Sequence, residues 1–174
     1  MIYIRKALKS DIDSIMNIEK DSFIPQIQES KSVFEKRIEF LNETFLIFTD
    51  SDNNEIIGYL SGEFLETIPS AKEDIKLNHL PSCRKSELLY ISSFAISPSK
   101  RGQGIGNKLF SESINYFLNN FKINEIVLLV NESWVKARTI YEKQEFEEIN
   151  IFKNFFKTEK NSYTNGILMK KSFI

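Results

Sequence analysis

The segment Arg101-Gly102-Gln103-Gly104-Ile105-Gly106 constrains the fold more than any other stretch, because it joins a predicted strand to a predicted helix. An apolar run at 88–96 precedes it and an amphipathic run at 107–118 follows it. Glycine lets an anion approach the backbone closely, and the first turn of a helix offers unpaired N–H groups with a partial positive charge. The unit therefore predicts a site for a phosphorylated ligand, unless the glycines serve only to form a tight corner.

The glycine spacing does not identify that ligand. A Walker A loop would end in Gly-Lys-Ser or Gly-Lys-Thr, and this turn does not. The spacing is Gly-x-Gly-x-Gly, so the dinucleotide fingerprint Gly-x-Gly-x-x-Gly is incomplete. Glu125, near the spacing at which that fingerprint has an acidic residue, begins a predicted strand and supports it only weakly.

Composition predicts one soluble domain over residues 1–174. The chain is 41% hydrophobic and 27% charged, and its fifteen Phe supply a large apolar core. A net charge of -1 gives no general attraction to nucleic acid or to an anionic membrane, and there is no apolar run long enough to span a membrane. His79 is the only histidine, so no metal site is predicted. Cys83 is the only cysteine, so no internal disulfide is predicted. Because a chain without disulfides suits a reducing compartment, we expect a cytoplasmic protein.

The hydrophobic pattern predicts a mixed α/β (α+β) fold with helices on both faces of a sheet of about seven strands. Ser10 and Ser32 are predicted to cap the first two helices. The polar connection at 66–86 is interpreted either as a lid or as a surface loop. Strands are predicted at 2–5, 44–49, 55–64, 88–96, 125–130, 146–153 and 167–171, and helices at 11–19, 32–41, 107–118 and 135–142.

Two segments resemble the GNAT superfamily of N-acetyltransferases. The run Phe94-Ala95-Ile96-Ser97-Pro98 and the glycine turn resemble its acetyl-CoA motif, in which Arg101, Gly104 and Gly106 fill the motif positions. Ala137, Tyr141 and Phe146 match a second family segment. The resemblance covers nearly the whole chain and implies the GNAT-like fold, with strands 4 and 5 splayed apart.

Two positions depart from the family pattern. Trp134 stands where many members have Asn, and Glu145 stands where a Gly usually precedes Phe146. The first departure affects a polar contact at the helix start, for which Asn131 at the preceding strand end is the candidate replacement. The second affects how the helix terminates.

The resemblance implies acetyl-CoA as the cofactor, with coenzyme A as the product. Backbone N–H groups from Gln103 to Asn107 would hold the pyrophosphate, and the pantetheine arm would lie along strand 4. The N–H of Phe94 would polarise the thioester carbonyl, and Tyr141 would protonate the leaving sulfur or donate a hydrogen bond to it. Core packing is the alternative for Phe94, Ile96 and Tyr141. The predicted cofactor residues are Phe94, Ala95, Ile96, Arg101, Gly102, Gln103, Gly104, Ile105, Gly106, Asn107, Asn131 and Tyr141.

The implied reaction is direct transfer of the acetyl group, in a ternary complex, to a primary amine of a small molecule or a peptide. A lysine-like amine has a pKa of about 10.4, so forming its free base at pH 7 costs about 4.6 kcal/mol. Glu63 and Glu87 are the candidate bases, although each is otherwise read as a solvated surface group. Ser92 and Tyr90 could order a water that carries the proton.

By the same resemblance, the acceptor enters between the first two helices and strand 4, and Phe23, Pro25, Ile27, Tyr59 and Tyr90 line its site. Phe155, Phe156 and Tyr163 either close that site or form the face of a homodimer. Two alternatives to an enzyme stay open at this point: a non-catalytic acyl-CoA-binding regulatory module and a nucleotide-binding domain of another kind.

Overall fold

The computed structural model describes residues 1–79 and 85–173, which form a seven-stranded mixed sheet covered by helices on both faces. The strand order is β1-β2-β3-β4-β5-β7-β6, so the predicted fold class is confirmed. The elements are β1 (Ile2–Lys6), α1 (Ile12–Ser22), α2 (Lys31–Leu41), β2 (Phe45–Asp50), β3 (Glu55–Leu65), β4 (Leu88–Ile96), α3 (Ile105–Asn120), β5 (Glu125–Asn131), α4 (Val135–Lys143), β6 (Glu147–Lys157) and β7 (Tyr163–Ser172).

The centre of the sheet is the parallel pair β4–β5, which the crossover helix α3 connects. The ladder runs from Leu88 paired with Glu125 to Ile91 paired with Leu128, and no further β4–β5 pair occurs in the described residues. Beyond it, β4 continues to Ile96 beside β3, and β5 continues to Asn131 beside β7. The two strands are therefore splayed, as predicted, and leave a gap between their carboxyl ends.

A β-bulge in β4 lies where this gap opens. Ser93 pairs with Ser61 of β3 and Ile91 pairs with Gly62, so Ser92 is an extra residue on β4. A bulge of this kind bends its strand and increases the local twist. The bend turns the second half of β4 away from β5.

Separate clusters of apolar side chains fix the two helical layers. Helices α1 and α2 bury Ile15 and Phe34 against Phe45 and Tyr59 on one face of the sheet. On the other face, α3 buries Phe110 and its apolar neighbours under β4 and β5. Helix α1 buries Ile12, Ile15 and Ile18 along the side that faces the sheet.

The predicted caps of α1 and α2 are wrong. Asp11, not Ser10, organises the start of α1: its carboxylate accepts the Leu8 N–H at 2.8 Å and pairs with Arg5 at 2.7 Å. A charged pair satisfies this turn better than a serine hydroxyl would. Helix α2 begins earlier than expected because Ser30 adopts extended backbone and its Oγ accepts the Val33 N–H at 3.4 Å.

The end of α4 uses a left-handed residue that is not glycine. Glu145 has a φ of 64°, and the N–H of Phe146 bonds to the carbonyl of Tyr141 at 3.0 Å. A left-handed conformation costs a residue with a Cβ about 1–2 kcal/mol. The Glu145 carboxylate also pairs with Lys171 at 2.9 Å. The helix thus terminates through a left-handed residue that carries a Cβ, at the expense of backbone strain.

The connection between β3 and β4 is anchored where it is described. Ile75 is buried beside Leu88 and Tyr90, and the amide oxygen of Asn78 accepts the Ser30 N–H at 2.8 Å. His79 is exposed. Cys83 lies outside the described residues. Whether the connection acts as a lid or as a surface loop stays a prediction.

Replacing Glu145 with glycine is expected to raise the free energy of unfolding by about 1 kcal/mol, because glycine adopts the left-handed conformation without a Cβ penalty. Denaturant titration measures the change. The Glu145→Ala variant is the matched control, since it loses the same ion pair and keeps the Cβ. A glycine variant no more stable than the alanine variant would contradict this account of the helix end.

Candidate active site

The glycine turn borders open space at the start of α3. Gly102 and Gly104 have φ values of 82° and 74°, and a Cβ added at either position would meet nothing within 4 Å. Gly104 is the N-cap of α3 and brings no side chain of its own. Because the first-turn amides of a helix have no carbonyl partner within it, the N–H groups of Ile105, Gly106 and Asn107 form a cradle that is open to an anion.

Arg101 holds this turn against two other elements. Its Nε donates to the carbonyl of Ile96 at 2.8 Å, and its terminal nitrogen donates to Ser22 Oγ at 2.7 Å. The guanidinium therefore joins the end of β4, the glycine turn and the end of α1. Its predicted contact with a cofactor stays a prediction.

The second half of β4 forms one wall of the gap. Phe94 packs its ring on Phe110 at 5.4 Å, and Ile96 is buried on the same side. Ala95 is buried in the α1–α2 cluster on the opposite face. Since β4 has no β5 partner past Ile91 in the described ladder, its gap-facing N–H and C=O groups are available to a ligand.

Tyr141 comes from α4 on the far side of the gap and is buried. Its ring lies 5.0 Å from that of Phe110 and 6.4 Å from that of Phe146. Burial raises the pKa of its hydroxyl above the ordinary value. At neutral pH the group keeps its proton and can donate a hydrogen bond.

A cleft of about 400 Å³ opens between α1, the end of β5 and the β6–β7 turn. Trp134 spans it, with its ring 5.5 Å from Phe23 and 5.3 Å from Phe156. The lining residues are Ser22, Phe23, Ile24, Ile27, Asn131, Ser133, Trp134, Lys157, Thr158, Glu159, Lys160, Ser162 and Thr164.

The structure brings part of the predicted acceptor set to this cleft. Phe23 and Ile27 line it, whereas Pro25 is exposed on the loop between α1 and α2. Tyr59 and Tyr90 are buried in the sheet and are not among the lining residues. Of the candidates for closing the site, Phe156 is buried against Trp134, Phe155 is half-buried, and Tyr163 is largely exposed.

The two predicted carboxylate bases occupy different places. Glu63 is buried on β3 opposite Tyr90 of β4 and interacts electrostatically with Arg37. Glu87 precedes β4, at the end where that strand is still paired with β5, and its carboxylate binds Lys122 and the Asn124 amide. The geometry therefore places Glu63 nearer the gap than Glu87.

Asn131 and Ser133 fold together at the end of β5. The Asn131 side-chain oxygen accepts the Ser133 N–H at 3.0 Å and the Ser133 hydroxyl at 2.8 Å. This local turn positions Trp134 at the start of α4. The predicted cofactor contact of Asn131 stays a prediction.

Glu19, which the sequence analysis missed, has a buried carboxylate behind this region. It accepts the backbone N–H of Glu29 at 2.8 Å and the hydroxyl of Tyr59. Both bonds favour the carboxylate, but burial outweighs them and raises its pKa from 4.5 to about 7. Arg37, also buried, pairs with the Glu29 carboxylate. In the sequence, the only sign that Glu19 is buried is its spacing on the inner face of α1, beside Ile15 and Ile18.

Comparison with known proteins identifies the family. The model of the acetyltransferase (GNAT) family matches residues 12–146. The chain belongs to the acetyltransferase (GNAT) family. An N-alpha-acetyltransferase of Sulfolobus acidocaldarius is 26% identical to it over 161 residues, which are 92% of this chain and 88% of that protein.

Solved structures of GNAT proteins share its fold. Arabidopsis thaliana NAA60 in complex with acetyl-CoA aligns with a TM-score of 0.76 at 18% identity, over 99% of both chains. The ribosomal-protein-S18-alanine N-acetyltransferase of Escherichia coli aligns with a TM-score of 0.74 at 18% identity, over 99% of this chain and 94% of that one. The predicted GNAT resemblance and the predicted N-acetyltransferase class are confirmed.

The site suits acetyl-CoA, the predicted cofactor of this GNAT enzyme. The open space at Gly102 and Gly104 leaves room for a pyrophosphate against the α3 amides. The part of β4 without a β5 partner offers backbone N–H and C=O groups to an extended arm with amide groups. Within residues 1–79 and 85–173, no cluster of three or more His, Cys, Asp or Glu side chains is arranged to hold a metal ion, and no helix is long and apolar enough to cross a membrane.

Replacing Gly104 with asparagine is expected to abolish the stabilisation by coenzyme A in a thermal-shift titration, because the new side chain fills the cradle. Asparagine tolerates left-handed backbone better than other residues, so the variant should fold. Gly104→Val adds strain to the same obstruction and should lose binding with a lower melting temperature. Undiminished coenzyme A binding by the asparagine variant would contradict this placement of the pyrophosphate.

Glu19 is expected to make stability depend on pH between about 4.5 and 7. Its raised pKa favours the folded state below 4.5, and that contribution disappears as pH rises through about 7. The free energy of unfolding of wild type minus that of Glu19→Gln should therefore fall by up to about 3 kcal/mol from pH 4.5 to pH 8. Denaturant titrations at matched pH measure it, and a constant difference across this range would contradict the buried ionisation.

Proposed function

We propose that this GNAT enzyme transfers the acetyl group of acetyl-CoA directly to the α-amino group of a peptide or to a small primary amine, in a ternary complex. The observation that carries the proposal is the half of β4 without a β5 partner, which leads to the open glycine turn. Arg101 of that turn bonds to Ser22, which lines the aromatic cleft. This arrangement would let a donor on β4 meet an acceptor that enters from the cleft.

On the donor side, the amides from Gln103 to Asn107 bind the pyrophosphate and β4 binds the pantetheine arm from Phe94 to Ile96. Bound acetyl-CoA supplies a thioester whose acetyl carbonyl is open to attack by an amine. The Phe94 N–H stabilises the negative charge that develops on the carbonyl oxygen. Arg101 fixes the position of the glycine turn relative to β4 and α1 through its bonds to Ile96 and Ser22.

On the acceptor side, a peptide amino terminus is the substrate class best supported. The Sulfolobus relative is named an N-alpha-acetyltransferase, and the Escherichia coli neighbour acts on an alanine of ribosomal protein S18. An α-amino group has a pKa of about 8, so its free base costs about 1 kcal/mol at pH 7, against about 4.6 kcal/mol for a lysine-like amine. The first acceptor side chain would contact Phe23, Ile27 and Trp134 in the cleft.

Tyr141 assists the leaving group. Its buried hydroxyl has a raised pKa, which makes it a poor acid but keeps it protonated as a hydrogen-bond donor. A donor aimed at the sulfur stabilises negative charge there as the C–S bond breaks. Burial on Phe110 and Phe146 keeps the ring in place.

The proposal is tested by following thiol release from acetyl-CoA over a panel of acceptors. The panel contains tripeptide amides with free amino termini, the same peptides with blocked termini, a peptide with lysine as its only free amine, and spermidine. We expect turnover with free amino termini and none with blocked ones. Tight acetyl-CoA binding without turnover on any acceptor would favour a non-catalytic acyl-CoA-binding module.

Tyr141→Phe is expected to lower kcat about tenfold or more with little change in KM for acetyl-CoA, because it removes a hydrogen bond that strengthens only as the sulfur becomes charged. Tyr116→Phe on α3 is the matched control. Steady-state kinetics with varied acetyl-CoA measure both constants. Equal losses of turnover and cofactor affinity would indicate a packing role for Tyr141.

A further inference from the structure

A chain of three hydrogen-bonding side chains runs from the bulge of β4 into the protein. Ser93 Oγ lies 3.1 Å from the hydroxyl of Tyr59, and that hydroxyl in turn donates to Glu19. The three residues belong to β4, β3 and α1, so only the folded structure joins them. Ser93 is half-buried, whereas Tyr59 and Glu19 are almost completely enclosed.

The bulge determines where this chain begins. Ser92 Oγ lies 2.9 Å from Ser61 Oγ, and Ser93 bonds to Tyr59. Tyr59 and Ser61 are two residues apart on β3 and lie on one face of the sheet. Consecutive residues Ser92 and Ser93 therefore share a face, which an unbulged strand would not allow. Ser93 immediately precedes Phe94, whose N–H is the proposed partner of the acetyl carbonyl.

The directions of the bonds suit proton transfer toward Glu19. Tyr59 is buried and its pKa is raised well above the ordinary value. Its hydroxyl therefore stays protonated and donates a hydrogen bond to the Glu19 carboxylate. The same tyrosine oxygen accepts the proton of Ser93, which leaves a lone pair on Ser93 for a proton from outside. Each hydroxyl thus accepts from one neighbour and donates to the next.

The charges around Glu19 leave it as the group that can take up a proton. From the loop before α2, the Glu29 carboxylate is already paired with Arg37 of α2. Arg37 also faces Glu63 of β3. Glu19 receives the Glu29 N–H and the Tyr59 hydroxyl, and the Ser93 hydroxyl of β4 carries no charge. Its pKa of about 7 matches the pH at which an acceptor amine must be deprotonated.

We propose that Ser93, Tyr59 and Glu19 form a proton relay that deprotonates the acceptor amine, an inference that rests on the proposed acetyl transfer. The ammonium proton passes to Ser93 as the Ser93 proton passes to Tyr59 and the Tyr59 proton to Glu19. The freed nitrogen lone pair forms the N–C bond, and the C–S bond breaks with its electron pair going to sulfur. After the N–C bond forms, the nitrogen loses a second proton, and the thiolate takes up one proton to become the thiol of coenzyme A. Glu19 later returns its proton to water along the same path.

The test compares Ser93→Ala, Tyr59→Phe and Glu19→Gln with wild type over pH 6 to 10. The acceptor is the tripeptide amide from the panel above with the highest kcat/KM. Ser113→Ala is the matched control, because Ser113 is a buried serine whose hydroxyl bonds only to the Leu109 carbonyl on α3 among the bonds described. Thermal melting establishes that each variant is folded.

Wild-type kcat is expected to rise as pH passes about 7 and then level off. At pH 7 each relay variant should lose about 100-fold in kcat, the contribution of a positioned proton acceptor, with both KM values nearly unchanged. Their kcat should recover as pH rises through about 8, where the α-amino group loses its proton to water instead. The Ser113→Ala variant should follow wild type.

Three results would overturn the relay alone, and a fourth would overturn the proposed function with it. Relay variants that lose the same factor at every pH would show a packing role, and variants with unchanged kcat would show no role. Loss of the pH-dependent limb in Glu63→Gln but not in Glu19→Gln would assign the base to Glu63. A wild-type protein that acetylates no member of the panel overturns the proposed function and the relay with it, so the two failures are distinguishable.

Discussion

The early end of pairing between β4 and β5 is the constraint on which the site depends. The two strands are hydrogen-bonded only from Leu88 to Ile91 and from Glu125 to Leu128 in the described residues. A strand in the middle of a sheet normally satisfies its backbone groups on both sides. Here the extra residue Ser92 bends β4 away, and the backbone groups on one side of the strand are left without a β5 partner.

The same bend aligns the parts at either end of the gap. Beyond Ile96 the chain turns through Pro98–Lys100 into the glycine turn, so the open backbone of β4 leads directly to the α3 amides. Arg101 ties this corner to α1 through Ser22. The end of α1 then continues into the loop that carries Phe23 and Ile27 into the cleft. The end of β4, the glycine turn and the end of α1 beside the cleft are thus connected by the two bonds of Arg101.

The sequence predicted the elements around the candidate site that depend on local pattern. The glycine turn, the buried strand before it and the Ala137–Tyr141–Phe146 segment are contiguous, and each has a periodicity or spacing that local reasoning can detect. Glu145 shows the limit of this reasoning. Its departure from glycine was visible, but its left-handed backbone could be known only from the structure.

The buried network was beyond prediction because its members are distant in sequence. Glu19 and Tyr59 are 40 residues apart, and Tyr59 and Ser93 are 34 apart. Only its position on the inner face of α1 distinguishes Glu19 from the solvated carboxylates elsewhere on the helices, and that position names no partner. The predicted helix caps were wrong for a related reason. The Arg5–Asp11 pair fixes the chain before α1, and the bond from the Glu29 N–H to Glu19 fixes it before α2. Both are tertiary contacts.

Amide hydrogen exchange with and without coenzyme A tests the central claim most directly. If the gap and the glycine turn hold the cofactor, exchange should slow at the gap-facing amides of residues 92–96 and at the amides from Gln103 to Asn107, while the β1–β2 amides keep their rates. Protection confined to other regions, with these two segments unchanged at saturating coenzyme A, would contradict the account.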